Sequence, residues 1–263
     1  MKKGYGKILA LCMAAFVAFS AEGVPQKPRE NGFAIMSFNV RHCSGMDGKL
    51  DIPRTAAAIS AHKPRLVALQ EVDVNVKRSK KVDQAAELGR LTGLYHTFGD
   101  AIDLQGGKYG VAILSKEKPL SVSKIPLPGL EPRVFLLAEF DDCYCGVSHF
   151  DYRSETNRIK SVRLIREFVE KAVKTKPVFI CGDWNAGNDS ATLDEVRKSF
   201  CVLSDVSKGT FNGSENKDAP TYCIDYIAVD AGHAKDWEVL HRETVQDETT
   251  SDHKPVVVKI GKK

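Results

Sequence analysis

Short apolar runs that stop at polar residues alternate with amphipathic stretches along nearly the whole chain. They span Phe33 to Val40, Leu66 to Gln70, Tyr109 to Leu114, Arg133 to Phe140, Tyr144 to Phe150 and Pro177 to Cys181. Unbroken apolar runs of this length suit strands covered on both faces, and the stretches between them leave room for crossover helices. The pattern therefore predicts an α/β domain in which helices cover sheets. Asp51 and Pro53 open a helix that Lys63-Pro64 closes, and Gln84 to Leu91 is helical with Gly93 as its stop. Ser154 starts the longest helix, in which Ile159, Val162, Ile165 and Val169 mark one apolar face up to Ala172. A further helix is predicted near Thr192 to Phe200, then a polar loop over Lys208 to Thr221. Strands follow at Tyr222 to Val229, Trp237 to Val245 and Pro255 to Ile260.

The first residues read differently. Lys2, Lys3 and Lys7 precede an apolar run from Ile8 to Phe19, and Ala18 and Ser20 supply small residues for cleavage near Ala21. This is the pattern of a signal peptide over 1–20, followed by a linker at 21–32 and a single domain at 33–263. It predicts export to a periplasmic or extracellular location. No later segment approaches the ~20 apolar residues of a membrane helix, so no transmembrane segment is expected. Without residues 1–20, Lys plus Arg falls from 38 to 35 against 34 Asp plus Glu, so the mature chain is nearly neutral. Nucleic acid is possible as a partner but is not favoured by charge, because duplex binders carry a concentrated basic excess. Cys43, Cys143, Cys145, Cys181, Cys201 and Cys223 show no paired zinc spacing. In an exported chain they suit disulfides as readily as free packing in apolar strands. A monomer is expected.

The apolar runs end, or are interrupted, at Asn39, Glu71, His149, Asp183, Asn185, Asp225, Asp252 and His253. Strand ends are where open sheets collect ligands. Glu71 suits a hard divalent cation, although an acid after a strand is also an ordinary solvated loop residue. Asp183 and Asn185, two apart after Gly182, can orient and deprotonate water, or they can form a bland Asx turn. Asp252 can help hold metal or its water, while His253 can contact a phosphoryl group with Asp225 fixing its tautomer. Arg78, Lys108, Arg133, Arg153 and Arg158 are candidates for contacts to substrate phosphate or polar groups. Tyr109 and Trp184 would either wall the pocket or pack in the core.

Seven short strings carry a resemblance: Ser-Phe-Asn-Val (37–40), Leu-Gln-Glu-Val-Asp (69–73), Tyr-Gly-Val-Ala-Ile-Leu-Ser (109–115), Ser-His-Phe-Asp (148–151), Gly-Asp-Trp-Asn (182–185), Ile-Asp-Tyr-Ile (224–227) and Ser-Asp-His-Lys-Pro (251–255). In this order they resemble the motifs of the endonuclease/exonuclease/phosphatase superfamily. The resemblance implies a four-layer α/β sandwich, two mixed sheets face to face with helices outside, and a cleft at one edge of the sheets. It implies that Glu71 binds Mg2+ or Mn2+ with Asn39 and Asp252 close to the metal and its water. Asp183 would activate or position the attacking water, with Asn185 helping to orient it. His253, paired with Asp225, would contact phosphate, and His149 would stabilise phosphoryl oxygens or the leaving group. Arg41 departs from the acid that repair endonucleases carry after the first-strand Asn. His149 with Asp151 looks more like the branch holding sphingomyelinases, inositol-phosphate phosphatases and secreted deoxyribonucleases. The expected function is thus secreted, metal-dependent hydrolysis of a small-molecule or headgroup phosphoester. A secreted nuclease acting on DNA or RNA is the first alternative, and a non-catalytic binding protein on the same fold is the second.

Overall fold

The computed structural model describes residues 32–173, 175–212 and 222–263. The predicted leader, nearly all of the linker and most of the polar loop near 213–221 lie outside the described residues.

Among the described residues, twelve strands form two sheets of six, each mixed. The first has the order β11 (Trp237–Thr244), β12 (Val256–Lys262), β1 (Phe33–Asn39), β2 (Leu66–Val74), β4 (Gly107–Ser115), β3 (Tyr95–Leu104). The second has the order β5 (Ser121–Leu127), β6 (Arg133–Glu139), β7 (Tyr144–His149), β8 (Val178–Asp183), β10 (Asp225–Asp230), β9 (Phe200–Val202). Each sheet contains one parallel pair, β1 with β2 and β7 with β8, and each pair is joined by a helical crossover. Those crossovers are α1 (Ile52–Ala61) and α3 (Glu155–Ala172), while α2 (Gln84–Thr92) and α4 (Ala191–Arg197) complete the outer layers.

Alternation of side chains along a strand explains why the central runs are apolar without interruption. On β8, Phe179 and Cys181 enter the core between the sheets, while Val178 and Ile180 face α3 and α4. On β1, Ile35 enters the same inter-sheet core, and Met36 and Phe38 pack beneath α1 and α2. The result is the expected four-layer sandwich. Helix starts follow local chemistry: Asp51, Asp83, Ser154 and Ser190 each accept a backbone N–H from the first turn.

Three strands were absent from the sequence prediction, namely β3, β5 and β9. All three are edge strands, and β3 and β5 expose most of one or both faces, so their sequences lack an apolar run. The helix predicted to reach Phe200 stops at Arg197, because Phe200 turns into β9 and is buried against Val196 and Ala228 in the outer core. The strand predicted from Tyr222 begins at Asp225, with Tyr222 making an isolated bridge to Phe211. All six cysteines among the described residues are free, and five are buried, so free packing is the outcome of the two readings. No helix of the described residues is long and apolar enough to cross a membrane.

Candidate active site

The two parallel pairs decide where the chemistry collects. Because β1 and β2 run together, as do β7 and β8, Asn39, His149 and Asp183 stand at strand ends on one side of the sandwich, with Glu71 beside Asn39. Asp183 is the hub. Its Oδ2 accepts the Asn39 Nδ2 at 3.1 Å and lies 3.4 Å from His149 Nε2 and 3.6 Å from His253 Nε2. Its Oδ1 accepts the backbone N–H of Asn185 at 3.0 Å. The side chain of Asn39 thus bridges the two sheets, giving its second amide hydrogen to Glu71 Oε1 at 3.1 Å.

Backbone geometry aims several of these groups. The β2–β4 pairing shifts register between Leu69 and Val72, and Glu71 sits at this bulge with φ 59°. A non-glycine residue in the left-handed region is costly and needs support, and here it re-aims a carboxylate. Asn185 is also left-handed, with φ 49°. Gly182 serves less to open a tight exit than to permit close approach of β8 to β7: a Cβ there would lie 2.1 Å from the Ser148 carbonyl oxygen.

His253 is held on both sides. Its Nδ1 is 2.9 Å from Asp225 Oδ2, its backbone N–H donates to Ser251 Oγ at 3.2 Å, and its ring lies 4.8 Å from that of Phe211. Burial disfavours its charge, but Asp225 and Asp183 outweigh burial and lift its pKa to about 10. His149 goes the other way. Burial, then the Arg133 guanidinium and His253, hold it well below the ordinary imidazole value. Arg133 Nη1 lies 3.4 Å from His149 Nδ1, so the neutral ring accepts there and its Nε2–H points at Asp183. Burial pushes Asp183 up to about 7, with the charge on His253 resisting the rise. Two histidines in one site therefore hold opposite charge states at neutral pH, a division set by their neighbours.

In protein stripped of divalent ions, NMR titration of the imidazole rings should find His253 protonated beyond pH 9 and His149 neutral at pH 6, with Asp225→Asn lowering the His253 midpoint by at least ~1 unit. The Asp225–His253 pair adds stability that is complete below the ordinary value of 6.5 and is lost as pH rises through about 10. Two midpoints near 6.5 would refute this electrostatic picture.

Two carboxylates, Glu71 and Asp183, offer oxygens to a hard cation, while Asn39 turns its Nδ2 to both and its Oδ1 accepts the Arg41 N–H at 3.1 Å. Glu71 has no basic side chain paired to it among the described residues, and burial raises its pKa, opposed by the Asn39 amide. A half-buried carboxylate without a counter-charge is costly, and a divalent ion held by Glu71 with Asn39 and Asp183 nearby would offset that cost. A purely geometric grouping of ligand atoms favours Asp183, Asp225 and His253 instead. In that trio, however, the His253 Nδ1 is already engaged by Asp225, so the imidazolium itself supplies the positive charge. Asp252, expected near the metal, lies 3.5 Å from Arg41 Nε and accepts Ser251 Oγ–H at 3.3 Å.

The other sequence candidates separate clearly. Arg78 is clamped to Asp73 by two bonds of 2.9 Å and lies over the Tyr109 ring. Tyr109, Arg133 and His149 together line a small recess. Trp184 does not wall the pocket: it is fully buried, stacked between Phe150 and Tyr226. Asp151 is not free for substrate either, since Asn157 Nδ2 and the Arg153 N–H take its two oxygens. Arg153 stacks on Tyr152, Arg158 bonds the Asp151 carbonyl, and Lys108 pairs with Asp103 on the β3–β4 hairpin. Asn185 spends its Nδ2 on the Phe150 carbonyl at 3.1 Å. Thr210 escaped the sequence reading: buried, it donates to Asp225 Oδ2 at 2.6 Å and accepts the Ile224 and Asp225 N–H groups. A threonine inside a polar loop gives no sequence signal of such a role.

Comparison with known proteins accords with this geometry. Over 181 residues the chain is 28% identical to a DNA-(apurinic or apyrimidinic site) endonuclease of Dictyostelium discoideum, covering 64% of this chain and 45% of that protein. The chain therefore spans less than half the length of this relative. The fold is similar to an endonuclease/exonuclease/phosphatase structure from Beutenbergia cavernae, with TM-score 0.72, 19% identity and coverage of 89% of this chain and 72% of that one. It is also similar to a mannosyl-6-phosphatase of Bacteroides thetaiotaomicron, with TM-score 0.67, 18% identity and coverage of 87% and 99%. Residues 36–253, which carry every strand-end group described above, match the model of the Endonuclease/Exonuclease/phosphatase family, and the chain belongs to that family.

Proposed function

We propose that this chain is an exported phosphoester hydrolase that requires Mg2+ or Mn2+ and acts on a small-molecule or headgroup phosphoester. The observation that carries the reading is the convergence of Asn39, His149 and His253 on a single oxygen of Asp183 within 3.1 to 3.6 Å, beside the Glu71 carboxylate, which accepts from Asn39 and has no basic partner among the described residues. Asp183, with its pKa lifted to about 7, can take a proton from an attacking water near neutral pH. The His253 imidazolium offers a fixed positive donor to phosphoryl oxygens, and Asp225 with Thr210 keeps its ring in one orientation. His149, neutral and oriented by Arg133, can donate Nε2–H to an oxygen whose charge grows as the P–O bond breaks. When bound, the metal supplies further positive charge against the anionic phosphoester and orients its water.

The likeness to a phosphatase and the near balance of 35 basic against 34 acidic residues after residue 20 support a small substrate. The sequence match to an endonuclease supports nucleic acid as a second reading. Purified protein should be assayed on aryl monoester, aryl diester, inositol phosphates, phospholipid headgroups and plasmid DNA, with Mg2+ or Mn2+ and with chelator. Hydrolysis of at least one small phosphoester that stops on chelation is expected. Cleavage of plasmid DNA alone would favour the nuclease, and turnover that survives chelation would sink the metal assignment.

A further inference from the structure

Away from the strand-end site, two imidazoles converge on one carboxylate oxygen. His62 Nδ1 lies 3.6 Å and His241 Nε2 lies 3.5 Å from Glu243 Oε2. His62 caps the C-terminal end of α1, while His241 and Glu243 stand two apart on β11 and so share one face of that strand. That face is the outer one, because Val257, directly opposite Glu243 on β12, belongs to the apolar layer under α1. A bulge between Val239 and His241 sets this facing: Val239 packs in the inter-sheet core, whereas His241, two residues on, looks outward.

These contacts are too long for hydrogen bonds. Where an imidazole of this chain is hydrogen-bonded to a carboxylate it sits closer, at 2.8 Å for His233 with Asp230 and 2.9 Å for His253 with Asp225. The 3.5 and 3.6 Å separations instead match donors around one ion, since ligands at the ~2.1 Å of a zinc bond stand ~3.4 Å apart at the corners of a tetrahedron. His149 and His253 approach Asp183 at similar range, but their second nitrogens face Arg133 and Asp225. The rings of His62 and His241 make no other polar contact among the described residues. Their two nitrogens stand farther than 4.8 Å from each other. The His241 side chain is 60% exposed, so rotation of this ring at the surface can close that gap. Lys259, opposite His241 on β12, is exposed as well, and water and salt screen its charge.

We propose that His62, His241 and Glu243 form a second metal site, which takes Zn2+ or a similar nitrogen-preferring transition ion and completes its shell with water. Two imidazoles with one carboxylate suit such ions, whereas Mg2+ prefers oxygen donors. The ion ties the end of α1 to the edge strand β11 and takes no part in the chemistry at Asp183. This assignment stands independently of the phosphoester reading.

The test uses the full chain, stripped of metal by chelation, in a Glu71→Gln/Asp183→Asn background so that the strand-end site does not compete for zinc. Calorimetric titration with Zn2+ should find one equivalent bound, with a dissociation constant of about 10 µM or tighter. His62→Ala, His241→Ala and Glu243→Gln should each weaken that binding by about tenfold or more. His233→Ala, which removes an imidazole already held by Asp230, should leave it unchanged. In protein with the native residues at 71 and 183, substoichiometric Cu2+ should broaden the imidazole NMR signals of His62 and His241 and spare that of His233. Zinc affinity left unchanged by any one of the three substitutions would overturn the three-ligand site. So would broadening of the His62 and His241 signals no greater than that of His233.

Discussion

Asp183→Asn should reduce kcat by about 10²- to 10³-fold or more, the scale seen when one preorganised group is removed from an active site, and His253→Ala should do the same. Asp183 accepts from or faces Asn39, His149, His253 and the Asn185 backbone, so among the described residues no other single side chain touches as many parts of the site. Asparagine keeps its shape but cannot take a proton. Stability should move in the opposite direction. Burial lifts the Asp183 pKa from 3.8 to about 7, so the folded state binds this proton more tightly than the unfolded chain. The contribution of this group is fully favourable below 3.8 and is lost as pH rises through about 7, which leaves an ionised, buried carboxylate above that point. Asp183→Asn is therefore expected to unfold at a higher temperature than wild type at pH 8, with a smaller gain at pH 5, in metal-free protein. Calorimetry at the two pH values together with steady-state kinetics checks both halves. A variant with wild-type kcat would remove Asp183 from the centre of the mechanism, and a lower unfolding temperature at pH 8 would show that its partners outweigh its burial.

Trp184→Ala should destabilise the fold by about 3–5 kcal/mol, among the largest costs available to a single substitution. The indole is fully buried, with ring centroids 6.0 Å from Phe150 and 5.0 Å from Tyr226, both nearly parallel to it. It stands between Asp183 and Asn185, so the cavity would open directly behind the hub of the site. For a domain of this size the loss corresponds to a fall in unfolding temperature of roughly 10 °C. Trp184→Phe should be much milder, because the Trp184 Nε1–H is buried without a partner among the described residues and phenylalanine discards that donor. Denaturant unfolding of both variants, with wild-type slope as the check on two-state behaviour, measures the difference. A wild-type midpoint for Trp184→Ala would mean that the stack contributes little. Equal losses for alanine and phenylalanine would mean that the indole nitrogen has a partner after all.

How much of this was legible beforehand depended on how strongly a residue's own neighbours in sequence constrain it. The central strands and their helices were readable because burial on both faces writes an apolar run, and a cap writes an Asp or Ser at a helix start. The strand-end residues Asn39, Glu71, His149, Asp183 and Asp225 were readable for the same reason, as polar residues at the ends of, or interrupting, apolar runs. The edge strands β3, β5 and β9 were not, since an edge need not bury a face and its sequence resembles a loop. Trp184 and Asp151 show the complementary limit. Both stand within motifs that carry chemistry, yet the indole faces the outer core and the carboxylate is spent on Asn157 and Arg153.

The sequence by itself determined that helices would cover sheets and which polar residues stand at the strand ends, because both follow from local periodicity and side-chain chemistry, while the arrangement of two sheets face to face was legible only through the family resemblance. Only the tertiary structure decided which of those residues meet and in what charge state. Asn39 reaches Asp183 across 144 positions and His253 reaches Asp225 across 28, through the packing of one sheet on the other. The protonation of His253 and the neutrality of His149 then arise from distances to Asp225, Asp183 and Arg133, and Coulomb energies depend on separation in space, which no linear spacing encodes.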